Sequence, residues 1–303
     1  FISSILQSAG FKVGLNISPH LQQVNERIQL NGIPISNERF ASLTTKMREV
    51  MEKNDWPDGL PSYFETLVAM AFLYFLQEKV DFAVVEVGLG GTLDATNVLL
   101  PLAAVITSVS LDHIELLGPS LDEIAVNKAG IIKENVPVVM GEVSSSALDI
   151  MKEKAMEKNA PIFFSHPCSR IETDLKRLKF SAQFQNKQLV LETPSLGEFQ
   201  LVNAGHAIRV MEILNEKGFE IGETDLVNGF LHAKIPGRFE VMPHSRIILD
   251  GAHNVEKMQG LVDTLRSLNI KPHFLIGILK SKQAREMIGF LAPVAIHITF
   301  VRP

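Results

Sequence analysis

Glu86 to Asn97 reads EVGLGGTLDATN, and His113 follows sixteen residues after Asn97, within SVSLDHIELLG. Each stretch directly follows a run of β-forming apolar residues: Asp81-Phe82-Ala83-Val84-Val85 before the first, Ala103-Ala104-Val105-Ile106 before the second. A buried strand that ends in a carboxylate or an imidazole and then breaks into glycines is costly without a ligand, because unpaired buried polar groups cost several kcal/mol. In open parallel sheets the ligand crevice lies at the carboxyl ends of the strands. Glu86 and His113, delivered to that edge by neighbouring strands, point to a metal or phosphate site. A Glu and a His with open positions suit Mg²⁺ when phosphate oxygens and water complete its octahedron. That chemistry implies a nucleotide substrate.

Further candidates collect around the same kind of position. Ser18 ends an early strand in Gly14-Leu15-Asn16-Ile17-Ser18-Pro19-His20. Pro19 forces an extended Ser18, which presents its hydroxyl at the strand tip as a third metal ligand. Lys128 falls late in a helix that starts at Ser120, where a solvated lysine would simply favour the helix dipole. Downstream, Asp250 ends a strand and Gly251 turns the chain into a helix; Asp250 reads as a helix cap or as an acceptor for a ribose hydroxyl. Arg238, just after Pro236-Gly237, is placed to clamp phosphate. Gly88-Leu89-Gly90-Gly91 lacks the third glycine and the following helix of a dinucleotide fingerprint, which disfavours a nicotinamide oxidoreductase.

These residues need a scaffold that alternates strand and helix. Strands are expected at 12–17, 82–87, 103–109 and 136–140, with helices at 1–9, 37–53, 64–79 and 121–129. Such alternation makes the fold α/β with a mainly parallel sheet and right-handed crossovers. Ser120-Leu121-Asp122-Glu123 is a capping box. A polar helix at 147–159 and a short strand near Ile162 follow. Residues 170–200 alternate like a small antiparallel subsheet with a turn at Asn186-Lys187. Helices at 203–216 and 223–232 lead to Pro236-Gly237, where a domain boundary is expected. Beyond it, strands at 246–250, 273–279 and 295–301 and helices at 255–268 and 283–291 start a second, Rossmann-like unit.

Composition narrows the partners. The 303 residues are 46% hydrophobic and 21% charged with a net charge of −5, which argues against a general nucleic-acid binder. A single cysteine, Cys168, excludes a disulfide framework and fits the cytoplasm. No apolar run reaches membrane-spanning length. Phe1 opens the chain inside a helix without an N-cap, and a strand runs into the other end, so both ends are expected to continue in a longer protein.

Taken in order, Ser18-Pro19-His20-Leu21, Glu26-Arg27, Tyr63-Phe64-Glu65-Thr66, Glu86 to Asn97, Leu111-Asp112-His113, Asn127-Lys128-Ala129-Gly130-Ile131, Pro236-Gly237-Arg238-Phe239-Glu240 and Asp250 to Asn254 resemble the folate branch of the Mur ligase superfamily, the folylpolyglutamate and dihydrofolate synthases. The chain departs from that pattern at Thr92, where bacterial members often carry arginine, and at Phe199, where many have histidine. The resemblance implies a P-loop-type ATPase domain over 1–236 that lacks its P-loop, and an incomplete C-terminal domain over 237–303. It implies Ser18, Glu86 and His113 as Mg²⁺ ligands and Lys128 as a lysine that becomes carbamylated beside a second Mg²⁺. It also implies Asn203, Arg238 and Asp250 as ATP contacts, with Ser62, Tyr63, Phe64, Glu65, Leu93, Asp94 and Ala95 around a pterin substrate.

The implied reaction uses ATP to make an acyl phosphate on folate or dihydropteroate, which the amine of L-glutamate then attacks. The implied enzyme is a cytoplasmic monomer. Phosphoryl transfer is mostly positioning and charge neutralisation, so the absence of a Ser-His-Asp or Cys-His arrangement agrees with it. The competing expectation is a non-catalytic binding module of the same fold. Without the glycine-rich loop, the chain as it stands is expected to bind ATP weakly or not at all.

Overall fold

A computed structural model describes residues 1–279 and 283–302. The fold is mixed α/β and divides into two compact units, Phe1–Phe164 with Val210–Gly229, and Ser165–Arg209 with Phe230–Pro303. In the first unit the elements are α1 (Ile2–Ser8), β1 (Val13–Asn16), β2 (Ile28–Leu30), β3 (Ile33–Pro34), α2 (Asn37–Lys53), α3 (Tyr63–Glu78), β4 (Phe82–Val85), β5 (Ala104–Ile106), α4 (Ile114–Leu117), α5 (Leu121–Ala129), β6 (Val138–Met140), α6 (Ser145–Glu157) and β7 (Ile162–Phe164).

Local chemistry fixes the helix starts. The Ser36 hydroxyl accepts from the Arg39 N–H at the head of α2. Ser62 and Glu65 form a reciprocal capping box at the head of α3. At α5, Ser120 accepts from the Glu123 N–H but donates its own hydroxyl to the Glu123 carboxylate at 3.0 Å. The expected ranges 37–53 and 121–129 match α2 and α5 end to end.

Strand pairing is where expectation and structure part. The first sheet runs β3-β2-β1-β4, with β1 and β4 parallel and a β2–β3 hairpin added antiparallel on the far side of β1. The sequence reading did not include that hairpin. A second, wholly parallel sheet runs β5-β6-β7. Among the described residues no ladder joins β4 to β5, so the strands that lead to Glu86 and His113 are not hydrogen-bonded neighbours as expected. An apolar run marks a strand but says nothing about its partner, and the partner of β4 is β1.

Each sheet has its own core. Leu67, Met70, Ala71 and Phe75 of α3 pack with Ile28, Ile35 and Leu43. The helix approaches so closely that a Cβ at Gly14 would lie 2.5 Å from the Phe75 ring. Behind the second sheet, α5 and α6 supply Ala125, Ala129, Ala147 and Met151 against Ala104, Ile106, Val138 and Met140. All three residues of β6 are fully buried, as a central parallel strand requires. Phe11, Phe82 and Phe219 meet edge to face, with the closest centroids 4.8 Å apart, and so tie the segment Val210–Gly229 to the root of β4.

The second unit contains β8 (Cys168–Thr173), β9 (Leu178–Phe184) and β10 (Lys187–Thr193), the start of α7 (Phe199–Glu216) and the end of α8 (Glu223–His232). It continues with β11 (Glu240–Val241), β12 (Ile248–Leu249), α9 (Val255–Ser267), β13 (His273–Ile276), α10 (Ala284–Leu291) and β14 (His297–Phe300). The antiparallel subsheet is present in the order β10-β9-β8. Its turn lies at Gln185-Asn186, both at positive φ, one residue before the expected dipeptide. β13 and β14 pair in parallel with α10 between them. α7 begins at Phe199, four residues ahead of the expected start.

Candidate active site

Parallel pairing of β1 with β4 ends at Asn16↔Val85, and the Glu86 N–H extends it by donating to the Asn16 carbonyl at 2.9 Å. One step further, the Ser18 N–H donates to Glu86 Oε2 at 2.8 Å. Ser18 and Glu86 therefore sit together at the carboxyl edge of the sheet, where the Glu86 side chain is exposed. The buried Asn16 supports this end of β1 by donating from Nδ2 to the Arg27 carbonyl at 2.9 Å.

The loop after Glu86 is fastened on both sides. On one side a Cβ at Gly88 would lie 2.3 Å from Phe64 Cζ, so the ring at the head of α3 lies directly on the glycine. On the other, a Cβ at Gly91 would lie 2.7 Å from the Asn127 carbonyl oxygen, which accepts from both the Thr92 N–H at 2.9 Å and its hydroxyl at 3.1 Å. Thr92, the departure from the family pattern, thus works as a clip onto the end of α5. Asn97 repeats the clip, donating from Nδ2 to the Thr92 and Gly130 carbonyls at 3.1 Å each. Glu86 and the half-buried Lys128 belong to two segments locked together through glycines, since any larger residue at 91 or 130 would push them apart.

His113 lies at the head of α4 in a left-handed conformation, φ 51°. Its backbone N–H and its ring both turn toward Asp112, with Nε2 3.9 Å from the carboxylate. Among the described residues no three His, Cys, Asp or Glu side chains gather as a ready-made metal cage. A metal at this edge would be held by a mixed set: the Ser18 hydroxyl and the Glu86 carboxylate, with the His113 imidazole, phosphate oxygens and water to complete it. That hard, oxygen-rich set fits Mg²⁺.

The residues expected around a pterin split into two kinds. Leu93 is 95% exposed and Tyr63 is 62% exposed, so both are open to a ligand. Ser62 and Glu65 are occupied with each other as the α3 capping box. The Asp94 carboxylate is likewise committed, accepting from the Leu89 N–H and Thr96 N–H at 2.9 Å and the Thr96 hydroxyl at 2.5 Å. Ala95 opens the 3₁₀ turn that Asp94 caps.

In the second unit Arg238 and Asp250 come together. A Cβ at Gly251 would lie 2.7 Å from an Arg238 terminal nitrogen. Asp250 accepts from the Phe239 and Ala252 N–H groups, each at 2.8 Å. Burial pushes its carboxyl above the ordinary value of 3.8, against the opposing pull of those N–H groups and of the Arg238 and His253 charges. Asn203, on α7, donates to the buried Gln200 side chain at 3.1 Å.

This arrangement has close counterparts. The Mur ligase middle-domain model matches residues 41–211. The chain is 39% identical to the dihydrofolate synthase/folylpolyglutamate synthase of Bacillus subtilis strain 168, over 99% of this chain and 72% of that protein. The chain belongs to the folylpolyglutamate and dihydrofolate synthase family of Mur ligases. Among solved structures, a folylpolyglutamate synthase complex with AMPPCP and folate superposes with a TM-score of 0.89 at 29% identity, over 99% of this chain and 76% of that one. E. coli FolC in complex with DHPP and ADP superposes with a TM-score of 0.85 at 29% identity, over 98% and 69%.

Sequence reasoning gave no role to Asn127, although it does the most to join the family's two signature segments. Its side chain also donates to the Leu117 carbonyl at 2.9 Å, so α4, α5 and the glycine loop meet at one residue. An amide in the last turn of a short helix was the available signal.

Two outcomes test these assignments. Asp94→Ala should cost about 2 kcal/mol in denaturant unfolding by orphaning three donors; normal stability with a raised KM for the acid substrate would instead return Asp94 to the substrate. Asp250 binds its proton more tightly in the folded than in the unfolded state, so its ionised form costs stability above the raised value. That cost is relieved as pH falls through the raised value toward 3.8. The Tm of the wild type relative to Asp250→Asn should therefore rise as pH drops from about 7 to about 4. A flat difference would show that Asp250 is not desolvated.

Proposed function

We propose that the protein is an ATP-dependent ligase that joins L-glutamate through an amide bond to folates, and also to dihydropteroate. The observation that carries this reading is the Ser18–Glu86 closure at the carboxyl ends of paired parallel strands, locked by glycines to the helix that bears Lys128. Family membership supplies the reaction class. Residues 1–236 are read as the central ATPase domain, which contains the whole middle-domain match, and 237–303 as the start of the glutamate-ligase domain.

In the proposed chemistry a carboxylate oxygen of the acid attacks the γ-phosphorus of ATP and ADP leaves. The resulting acyl phosphate is attacked by the glutamate amine, and the tetrahedral intermediate expels phosphate to leave the amide. Ser18, Glu86 and His113 are assigned to hold Mg²⁺, which when bound neutralises charge on the transferring phosphoryl group. Asn203, Arg238 and Asp250 are assigned to ATP, with the Arg238 guanidinium on phosphate. Tyr63, Phe64 and Leu93, with Ser62, Glu65, Asp94 and Ala95 as the frame beneath them, are assigned to the pterin.

Lys128 is assigned as a carbamate, formed when its neutral amine takes up CO₂ and releases a proton. The change replaces a cation with an anion, which would attract a second Mg²⁺ where an ammonium would repel it. The exposed carboxylate of Glu86 at the same edge is consistent with an ion-rich site. The enzyme is read as a cytoplasmic monomer; among the described residues no helix is long and apolar enough to cross a membrane.

The test uses the full-length protein supplied with ATP, Mg²⁺, glutamate and either tetrahydrofolate or dihydropteroate. Both acids should be glutamylated, with one ADP released per amide bond. Lys128→Ala should lower turnover by about a thousandfold or more while leaving the melting curve unchanged, and short carboxylic acids should restore part of it. A near-normal rate for that variant would remove Lys128 from the mechanism, and no glutamylation of either acid would overturn the ligase reading.

A further inference from the structure

Between Ser18 and β2 the loop carries an arginine that the ligase reading leaves unused. Glu26 gathers this loop by accepting from the N–H groups of Leu21 at 2.7 Å, Gln23 at 2.7 Å and Gln22 at 2.9 Å. Those bonds hold its carboxyl below the usual range, despite partial burial. Its carboxylate is thereby committed to the backbone and does not serve its neighbour Arg27.

Arg27 is held from several directions. Its carbonyl accepts from the Ile17 N–H at 3.2 Å and from Asn16 Nδ2 at 2.9 Å, which sets it across from the residue that precedes Ser18. Its Nε donates to His20 Nδ1 at 2.9 Å, and the guanidinium carbon stands 5.7 Å from the centroid of the Tyr63 ring. The side chain is half-buried, yet among the described residues no carboxylate pairs with it. By contrast Arg39, Arg177 and Arg266 each face an acid, at 3.2, 2.9 and 3.3 Å.

Fixing an arginine side chain sacrifices its rotamer freedom, so something must hold it in place. Here a histidine and a ring do the fixing, and among the described residues the fork of two terminal NH₂ groups keeps no hydrogen-bond partner. That fork matches a carboxylate in a bidentate pair.

The position selects which carboxylate. Under the ligase reading, the reacting carboxylate must approach the Ser18–Glu86 edge. A folate ends in glutamate and so carries two carboxylates, the one on the α-carbon and the one at the end of the side chain two methylenes away, whereas a pteroate-type acid carries only the one that reacts. We propose that Arg27, gripped by His20 and Tyr63, pairs with the non-reacting carboxylate of a glutamate-bearing substrate. It thereby favours chain extension over the first glutamate addition. This inference rests on the ligase reading but is separable from it by experiment.

The experiment measures binding of folate and of pteroate, which share the pterin and aminobenzoyl groups and differ by the glutamate, to the full-length protein without ATP. Arg27→Gln should weaken folate by roughly ten- to a hundredfold and leave pteroate within about twofold. Arg27→Lys keeps the charge but not the fork; it should lose an intermediate amount with folate only, and it carries the test if the glutamine variant fails to fold. Equal losses for both acids, or no loss for either, would overturn the role of Arg27 while leaving the ligase reading intact. A wild type that binds neither acid would overturn both.

Discussion

The parallel pairing of β1 with β4 is the constraint on which the rest of the site depends. Ladder hydrogen bonds fix the two strands in register, so Ser18 and Glu86 must emerge side by side, and the Ser18 N–H closes on the Glu86 carboxylate. Everything placed near them is placed relative to that edge. Arg27 reaches it because its carbonyl bonds to the residues at the end of β1. Tyr63 and Phe64 reach it because α3 packs closely enough to demand glycine at 14 on β1 and at 88 in the loop after β4. A shift of one residue between β1 and β4 would turn every side chain on one strand to the opposite face.

The second constraint is steric. The loop from Glu86 to Asn97 is pressed between the head of α3 and the end of α5, and its glycines mark where backbone touches ring or backbone touches backbone. Asp94 then satisfies the loop internally while Thr92 and Asn97 fasten it to the end of α5, leaving Leu93 outward. The polar residues of this segment are largely spent on shape. The chemistry is left to the few groups the shape exposes, which is the usual division of labour where binding residues ride on loops over a rigid scaffold.

The second unit builds a separate set by similar means. Asp250 accepts from two backbone N–H groups, one from the turn that carries Arg238 and one from the turn that leads into α9. The two charged side chains are held together by the main chain rather than by a direct salt bridge. Asn254 caps α9 by accepting from the Lys257 N–H at 2.9 Å, which fixes the same turn from the other side.

Sequence alone determined those features whose cause is local. Ser36, Ser62 and Ser120 cap helices because a side-chain oxygen reaches an N–H three residues on, and that depends on nothing elsewhere in the chain. Glycine-rich breaks after apolar runs likewise located Glu86 and Asp250 at strand ends. The motif order was specific enough to place the chain in its family. What sequence left open was every question of partnership. An apolar run reports burial but not which strand lies beside it, so β4 was matched to β5 rather than to β1, and the β2–β3 hairpin was not seen. The hairpin turn slipped by one residue because the β9–β10 register puts Gln185, which has no preference for it, at positive φ beside Asn186, which has one. Asp94 was expected at the substrate and Asn127 was given no role, and only tertiary packing revealed that their hydrogen bonds hold the site in shape. Long-range hydrogen-bond geometry made those decisions, and no window of sequence contains both ends of such a bond.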